Sequence, residues 1–170
     1  VVGRKTGYMR ADDASALAAL LQKDGGFGVT KGWRQAEVQD TVLGLWFLAG
    51  FDDSMASKTA QKLASLQNLD SSFGPAHDVA TTARAALMLA ATSSTPSTLI
   101  AVQHGLDFIA SKAHPDGTIG DESDPAHDTL WGVFAVQSIA GELNNIVSSG
   151  LIYLASRLDS QSSIEADPYL

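Results

Sequence analysis

Two copies of the tetrapeptide Pro-Ala-His-Asp place a histidine directly before an aspartate, at His77-Asp78 and at His127-Asp128. An imidazole beside a carboxylate can bind a divalent metal ion or act as an acid–base pair. If the copies are equivalent parts of a repeat, both pairs lie on one rim of the molecule. The alternative is structural: the aspartate caps a helix, the histidine packs against a loop, and duplication explains the second copy. We keep all four residues as candidate ligand-binding residues, without a complete metal-ligand set around His77 and His127.

A third aspartate, Asp40, occupies a similar place in the sequence. Asp40, Asp78 and Asp128 each stand at the start of an apolar run. Aspartate is a preferred helix N-cap because its carboxylate accepts hydrogen bonds from the free N–H groups of the first turn. We predict that each of the three caps its own helix, and we keep Asp40 as a candidate ligand-binding residue.

Aromatic side chains supply the remaining candidates. Trp33 lies in the longest variable loop and is the candidate for an exposed contact residue. Four others lie within apolar runs: Trp46, Phe47, Trp131 and Phe134. They can hold an apolar ligand by shape and by cation–π contacts, but in a chain of 170 residues we expect core packing to be their main use. Trp131 is kept as a candidate ligand-binding residue.

The composition excludes several classes of site and partner. The chain has no cysteine, which excludes disulfides, thiolate zinc sites and a cysteine nucleophile. Its 11 basic and 19 acidic residues give a net charge of −8, which is opposite in sign to a nucleic-acid-binding surface. The sequence contains no run of about 18 apolar residues, so no membrane span is predicted. The sequence does not identify a cofactor, so the cofactor stays unknown, and it does not place the protein in a compartment.

A segment of twelve residues recurs along the chain. It begins at Leu17 as LAALLQKDGGFG, at Leu63 as LASLQNLDSSFG and at Ile109 as IASKAHPDGTIG, each 46 residues after the last, with a weaker copy at Leu154. Periods of about 20–50 residues are typical of arrays or closed rings of supersecondary units. The glycine-rich stretch is therefore a repeated turn rather than a phosphate-binding loop, which would need a preceding strand.

Each copy ends a helical run and leads through a loop into a second apolar run, and no strand pattern is present. This predicts an all-α protein built from helical hairpins. We predict first helices over about 13–23, 54–68, 96–113 and 145–158, and second helices over about 41–50, 79–92 and 129–141. We expect one α/α repeat domain over 1–170, with repeats at about 12–50, 53–92, 95–141 and an incomplete one at 145–170.

The turn has a physical role in such a repeat. Gly25 and Gly26 can end the first helix tightly, and Asp24 can accept hydrogen bonds from the backbone of the loop. Phe27 and Phe73 are predicted to be apolar wedges between neighbouring hairpins, where burial of such a side chain is worth about 1.5–3 kcal/mol.

The pattern Gln22…Asp24-Gly25-Gly26-Phe27-Gly28…Asp40-Thr41 resembles the repeats of the terpenoid cyclase and protein prenyltransferase superfamily. The segment from Asp116 to Thr129 resembles them again, and the likeness covers about residues 12–165. In that superfamily the first helices form an outer ring and the second helices an inner ring around an apolar cavity. The resemblance implies an α/α toroid-type fold, here a partial ring of about three and a half units. Three alternatives stay open: the sequence is a piece of a longer ring, association with another copy completes the ring, or the domain is an open arc.

The resemblance does not carry a complete catalytic site. The prenyltransferases hold zinc with Asp, Cys and His, but cysteine is absent here and Leu130 stands two positions after Asp128. The class II cyclases use an Asp-x-Asp-Asp acid, whereas Asp121-Glu122-Ser123-Asp124 has its carboxylates in a different order. We interpret that stretch as a solvated acidic loop, and the catalytic residues stay unknown.

Three functions are compatible with these observations. The favoured one is a non-catalytic module that binds an apolar small molecule or a protein partner, because the scaffold matches while the catalytic motifs do not. The alternative is part of an isoprenoid-handling enzyme, of terpene cyclase or prenyltransferase type, whose remaining repeats or partner complete the site. A third is a carbohydrate-active α/α barrel that uses Asp124 and Asp128. Analogy between folds does not decide among them.

Overall fold

Six α-helices occur in the part of the chain that the computed structural model describes, which is residues 19–28, 36–49, 52–92, 94–121, 124–141 and 144–160. They are α1 (Val38–Leu48), α2 (Asp53–Ser65), α3 (Val79–Thr92), α4 (Pro96–Ser111), α5 (Pro125–Ala140) and α6 (Asn145–Ser160). Within these residues no strand is present, and the β-type pairing consists of three isolated bridges. The prediction of an all-α fold is confirmed, while the helix predicted over 13–23 lies mostly outside the described residues.

The helices form two layers. Helix α3 packs against α1 on one side and α5 on the other, so these three second helices form what we call the inner layer. The first helices form the outer layer: α2 packs against α1, α3 and α4, α4 packs mainly against α3, and α6 packs against α5. This alternation of outer and inner helices is the α/α toroid-type arrangement of a partial ring.

The same turn connects the two layers three times. In each copy one antiparallel bridge closes the turn, between Leu21 and Phe27, Gln67 and Phe73, and Ala113 and Ile119. The turn aspartates accept a hydrogen bond from the backbone N–H two residues later, at 3.1 Å for Asp24, 3.1 Å for Asp70 and 3.0 Å for Asp116. The predicted role of Asp24 as an acceptor for loop backbone is confirmed.

The apolar residue of each turn is anchored to the inner layer by a threonine. Phe27, Phe73 and Ile119 are buried, as predicted for the first two. Their backbone N–H groups donate to the hydroxyls of Thr41, Thr82 and Thr129, at 3.1, 3.0 and 2.9 Å respectively. These threonines are therefore equivalent positions, and we use them below as the reference from which to compare the inner helices.

Glycine is required where a turn or its apolar residue approaches another element closely. A Cβ atom at Gly44 would lie only 2.4 Å from a ring carbon of Phe27. Gly25 and Gly117 have φ of 95° and 91°, in the left-handed region that favours glycine. The second turn has Ser71 at this position, with φ of 72°.

The predicted caps are correct in part. Asp78 accepts a hydrogen bond from the N–H of Thr81 at 2.6 Å and caps its own helix, as predicted. Thr95 caps α4 with Pro96 in the first turn, and Gly141 ends α5 in the left-handed conformation. The N-cap of α2 is Asp52, whose carboxylate accepts a hydrogen bond from the backbone N–H of Met55 at 2.9 Å.

The predictions that Asp40 and Asp128 cap their own helices are wrong. Both lie inside the first turn, because α1 begins at Val38 and α5 at Pro125, earlier than the predicted starts at 41 and 129. The cap of α5 is Asp124, whose carboxylate accepts from the N–H of His127 at 3.2 Å. Proline suits the first helical position, since that N–H has no intrahelical partner.

No helix within the described residues is both long enough and apolar enough to cross a lipid bilayer.

Candidate functional site

Helix α1 presents a row of large apolar side chains that the described residues leave exposed. Leu43, Trp46 and Phe47 are 57%, 52% and 44% exposed, whereas Leu45 and Leu48 on the opposite side of the helix are buried. The spacing of three and four residues places the exposed set on one side of the helix. The rings of Trp46 and Phe47 pack edge to face, with centroids 5.0 Å apart.

Helix α5 carries a matching row. Phe134 is 54% exposed, and its ring packs edge to face with the partly buried Trp131 at 6.1 Å between centroids. Phe134 and Trp46 are equivalent, since each lies five residues after the reference threonine of its helix. The expectation that these aromatic residues serve mainly in the core is therefore wrong for Trp46, Phe47 and Phe134. The core is built from the other side of these helices, toward the outer layer.

The middle helix of the layer contributes an arginine. Arg84 lies two residues after Thr82, at the position held by Leu43 on α1 and Trp131 on α5. Its guanidinium lies over the Trp131 ring, 5.5 Å from the centroid, and its Nε donates to the carbonyl of Ala80 at 3.1 Å. Sequence reasoning missed Arg84. Counting from the threonines would have aligned it with Leu43 and Trp131, but Thr82 was not recognised as the equivalent of Thr41 and Thr129.

We call this surface the inner face, defined by Leu43, Trp46, Phe47, Arg84, Trp131 and Phe134.

A buried carboxylate lies at the start of α5, near the inner face. Asp128 is only 7% exposed, and its Oδ1 accepts a hydrogen bond from the N–H of Ala80 at 3.2 Å. It therefore caps the neighbouring helix α3 instead of its own. Burial raises the pKa of Asp128 above its ordinary value, and the carboxylates of Asp78 and Asp124 act in the same direction. The hydrogen bond from Ala80 and the imidazole of His127 act the opposite way but do not cancel the shift.

His127 is connected to the inner face by a hydrogen bond. The indole Nε1–H of Trp131 donates to His127 Nε2 at 3.1 Å. Because an indole nitrogen can only donate, His127 Nε2 must be the acceptor, and the proton of the neutral ring lies on Nδ1. The contact fixes the tautomer of His127 while Arg84 covers the same indole ring.

His77 has a different environment. Its Nδ1 lies 2.7 Å from Asp70 Oδ2 and 3.0 Å from the hydroxyl of Ser72, and its φ of 53° is left-handed. The Ser72 hydroxyl, followed by His77, lowers the pKa of Asp70 to about 2. Since both partners use the same ring nitrogen, the three residues cannot work as a nucleophile–base–acid relay. The cluster ties the second turn to the start of α3.

The two Pro-Ala-His-Asp copies are not equivalent, so the premise that placed both histidines on one rim is wrong. His77 lies five residues before Thr82, whereas His127 lies two residues before Thr129. The difference follows from the loops, because α5 begins at Pro125, within the motif, while α3 begins only after it. Across the described part of the chain, no group of three or more His, Cys, Asp or Glu residues could hold a metal ion.

Two further candidates remain. Asp40 has one buried carboxylate oxygen, Oδ2, that accepts no hydrogen bond from the residues that the structure describes. It holds the position of Asp128 relative to the reference threonine, one residue before Thr41. Trp33 lies outside the described residues. The structure thus brings Asp128, His127, Trp131 and Arg84 together, and places His77 and Asp78 at the start of α3.

Comparison with known proteins agrees with this architecture. No family model matches the sequence. Over 123 residues the chain is 34% identical to a drimenyl diphosphate synthase of Streptantibioticus cattleyicolor, covering 67% of this chain and 23% of that protein. The fold of this chain is similar to that of ent-copalyl diphosphate synthase from Streptomyces platensis, with a TM-score of 0.71 and 19% sequence identity. The likeness covers 90% of this chain and 32% of that protein. The chain therefore spans about a quarter to a third of the length of these proteins.

Proposed function

Because this chain belongs to the terpenoid cyclase superfamily, we propose that its inner face binds the hydrocarbon part of an isoprenoid or an isoprenyl diphosphate. In this proposal the chain is a helical-repeat binding module, and its activity in a longer protein or a complex depends on what else contributes to the cavity. Both similar proteins are named as diphosphate synthases, which supports an isoprenoid as the class of ligand.

The observation that carries the proposal is the exposure of aromatic side chains on the inner face. Trp46, Phe47 and Phe134 are each about half exposed on the side of the inner layer away from the core. Large apolar side chains grouped on one surface mark binding sites more often than scattered ones do. An isoprenoid chain offers only apolar surface, so its affinity would come from removing that surface and the rings from water.

Titration with farnesol, followed by calorimetry, tests the proposal. We expect Phe134→Ser to weaken binding by about 10- to 100-fold, which corresponds to the loss of one large apolar contact. The matched control is Leu99→Ser, because Leu99 is about as exposed as Phe134 but lies in the outer layer on α4. Equal affinities for the wild type and Phe134→Ser, or an equal loss in Leu99→Ser, would contradict the proposal.

A second candidate is that the chain forms part of an isoprenoid-cyclising enzyme. Asp128 favours it, because a raised pKa is the direction that a general acid requires and the residue lies on α5 next to His127 and three positions before Trp131. Incubation with farnesyl diphosphate followed by chromatography and mass spectrometry would reveal a cyclised product. We expect Asp128→Asn to abolish its formation, whereas the exposed Asp53→Asn should not. Product formed at the wild-type rate by Asp128→Asn would exclude Asp128 as the acid.

A further inference from the structure

We propose that Arg84 is an oxyanion-binding residue on the inner face and holds the diphosphate group of an isoprenyl diphosphate. This inference rests on the proposed function, since it assigns the polar end of a ligand whose hydrocarbon part contacts the aromatic residues. It adds a residue and a charge preference that the apolar character of the face does not supply.

The first argument is the geometry of the guanidinium. Nε donates to the carbonyl of Ala80 at 3.1 Å, and the planar group lies over Trp131, 5.5 Å from the ring centroid. Among the described residues no carboxylate lies within 4.0 Å of Arg84, whereas Lys62 and Lys112 each have an aspartate partner. The terminal N–H groups thus remain available, and a guanidinium can offer two parallel N–H donors to one oxyanion.

The second argument is that the guanidinium is already oriented. A free arginine side chain loses rotamer freedom when it binds a ligand, and that loss weakens binding. Here Nε is tied to the backbone of its own helix and the guanidinium lies over an indole ring. Binding an anion in this arrangement orders little that is not already ordered.

The third argument is the position of the charge. The equivalent residues on α1 and α5 are Leu43 and Trp131, so the repeat does not require a basic residue there. Arg84 is the only lysine or arginine in the described helices of the inner layer. A cation among apolar side chains suits a ligand that is apolar along its length and anionic at one end better than a purely apolar one.

The fourth argument is the net charge of the chain. With a net charge of −8, the protein repels anions in general, so binding of a diphosphate requires a local cationic group. Nearby carboxylates at Asp78 and Asp128 are engaged with backbone N–H groups of α3. Arg84 is thus the local group that can meet the diphosphate.

The test compares farnesyl diphosphate with farnesol and inorganic pyrophosphate by calorimetry at fixed ionic strength. We expect Arg84→Met to weaken farnesyl diphosphate and pyrophosphate binding by about 10- to 100-fold, the loss for a charged hydrogen bond. Farnesol affinity should change by less than about twofold. Arg84→Lys keeps the charge but not the paired donors, so its affinity for the diphosphate should be intermediate. Arg157→Met on α6 is the control for general charge, and circular dichroism verifies folding.

Each other outcome overturns the inference. If Arg84→Met weakens farnesol and farnesyl diphosphate equally, Arg84 acts only by supporting Trp131. If the wild type binds the diphosphate no better than farnesol, or Arg84→Met leaves the diphosphate affinity unchanged, Arg84 holds no anion, while farnesol binding still upholds the proposed function. If neither farnesol nor the diphosphate binds, the proposed function fails together with this inference.

Discussion

Several single residues here have environments that their type disfavours. Ser71 and His77 both have left-handed φ, at 72° and 53°. Asp128 is a carboxylate held in a buried position on the inner side of the fold. Such residues persist only where their surroundings provide compensating contacts, and each of these three has one. The carbonyl of Ser71 accepts from Gln67, His77 contacts Asp70, and Asp128 accepts from Ala80.

Replacing Ser71 by glycine should stabilise the protein. The corresponding residues of the other turns, Gly25 and Gly117, show that glycine fits this conformation. The left-handed conformation costs a residue with a Cβ about 1–2 kcal/mol, and the greater freedom of glycine in the unfolded chain cancels about half of the gain. We expect an increase of about 0.5–1 kcal/mol in the free energy of unfolding, measured with urea. Ser148→Gly within helix α6 is the matched control and should destabilise the protein by about 0.5 kcal/mol.

The buried Asp128 predicts a dependence of stability on pH. Because burial raises its pKa above 3.8, the folded state binds this proton more tightly than the unfolded chain does. Its contribution is therefore most favourable at acid pH and is lost as pH rises from about 3.8 through the folded-state pKa. Asp128→Asn removes the titration and keeps an acceptor for Ala80.

We expect the unfolding free energy of the wild type to fall relative to that of Asp128→Asn as pH increases from 3 to 7, about the range in which carboxyl groups ionise. Urea titrations at several pH values measure this difference. Asp53→Asn serves as the exposed control. A wild type that gains stability over Asp128→Asn with rising pH would contradict the assigned direction.

At the scale of elements, the hydroxyl of one threonine fixes how each turn meets its inner helix. The backbone N–H of the turn's apolar residue is buried. Among the described contacts, the threonine hydroxyl is its hydrogen-bond acceptor. The hydrogen bond sets the position of the turn along the helix, and a small residue three positions later leaves room for the side chain, as Gly44 does for Phe27. The turn and its inner helix therefore form one structural unit, and neither part alone sets the position of the turn along the helix.

Thr82→Val should show the importance of this contact. Valine has nearly the same shape as threonine, so packing is kept, but the N–H of Phe73 loses its acceptor. A buried donor without a partner costs about 1–3 kcal/mol, which is the expected loss of unfolding free energy. Thr82→Ser keeps the hydroxyl and should lose only about 0.8 kcal/mol, for one buried methyl group. Equal losses in the two variants would show that the hydrogen bond has no special role.

At the scale of the whole molecule, the core consists of two clusters that share a boundary. The first joins α1, α2 and parts of α3 and α4, and includes Phe27 and Phe73. The second joins parts of α3 and α4 with α5 and α6, and includes Ile119. Leu106 on α4 packs against both. Because each hairpin buries its apolar side only against its neighbours, the clusters should unfold together.

Phe73→Ala should lower the stability of both core clusters. We expect a loss of about 3–5 kcal/mol, as for a buried phenylalanine replaced by alanine. Two single-tryptophan variants, one keeping Trp46 on α1 and one keeping Trp131 on α5, would report on the first and second cluster by fluorescence. Both probes should shift to the same lower urea midpoint. A shift of the Trp46 transition alone would show that the clusters are independent, and Leu99→Ala supplies an exposed control.

The sequence by itself determined the repeat and the fold class. The 46-residue spacing, the turn aspartates and the buried Phe27 and Phe73 were all predicted correctly, because these features depend on local chemistry and on the helical period. The division into one domain over 1–170 and the roles of the candidate ligand-binding residues stay predictions. The sequence does not determine the helix starts, since Asp40, Asp124 and Asp128 are all good caps and local preference does not choose among them.

The tertiary structure alone decided which side of each inner helix is covered. The inner helices are apolar on most sides, so their composition cannot separate the core side from the exposed side. Packing against the outer layer leaves Trp46, Phe47 and Phe134 uncovered, and it places Arg84 of one helix over Trp131 of the next. It also directs Asp128 to the start of a neighbouring helix. These contacts join residues 47 or more positions apart in the chain, a separation at which local preferences have no influence.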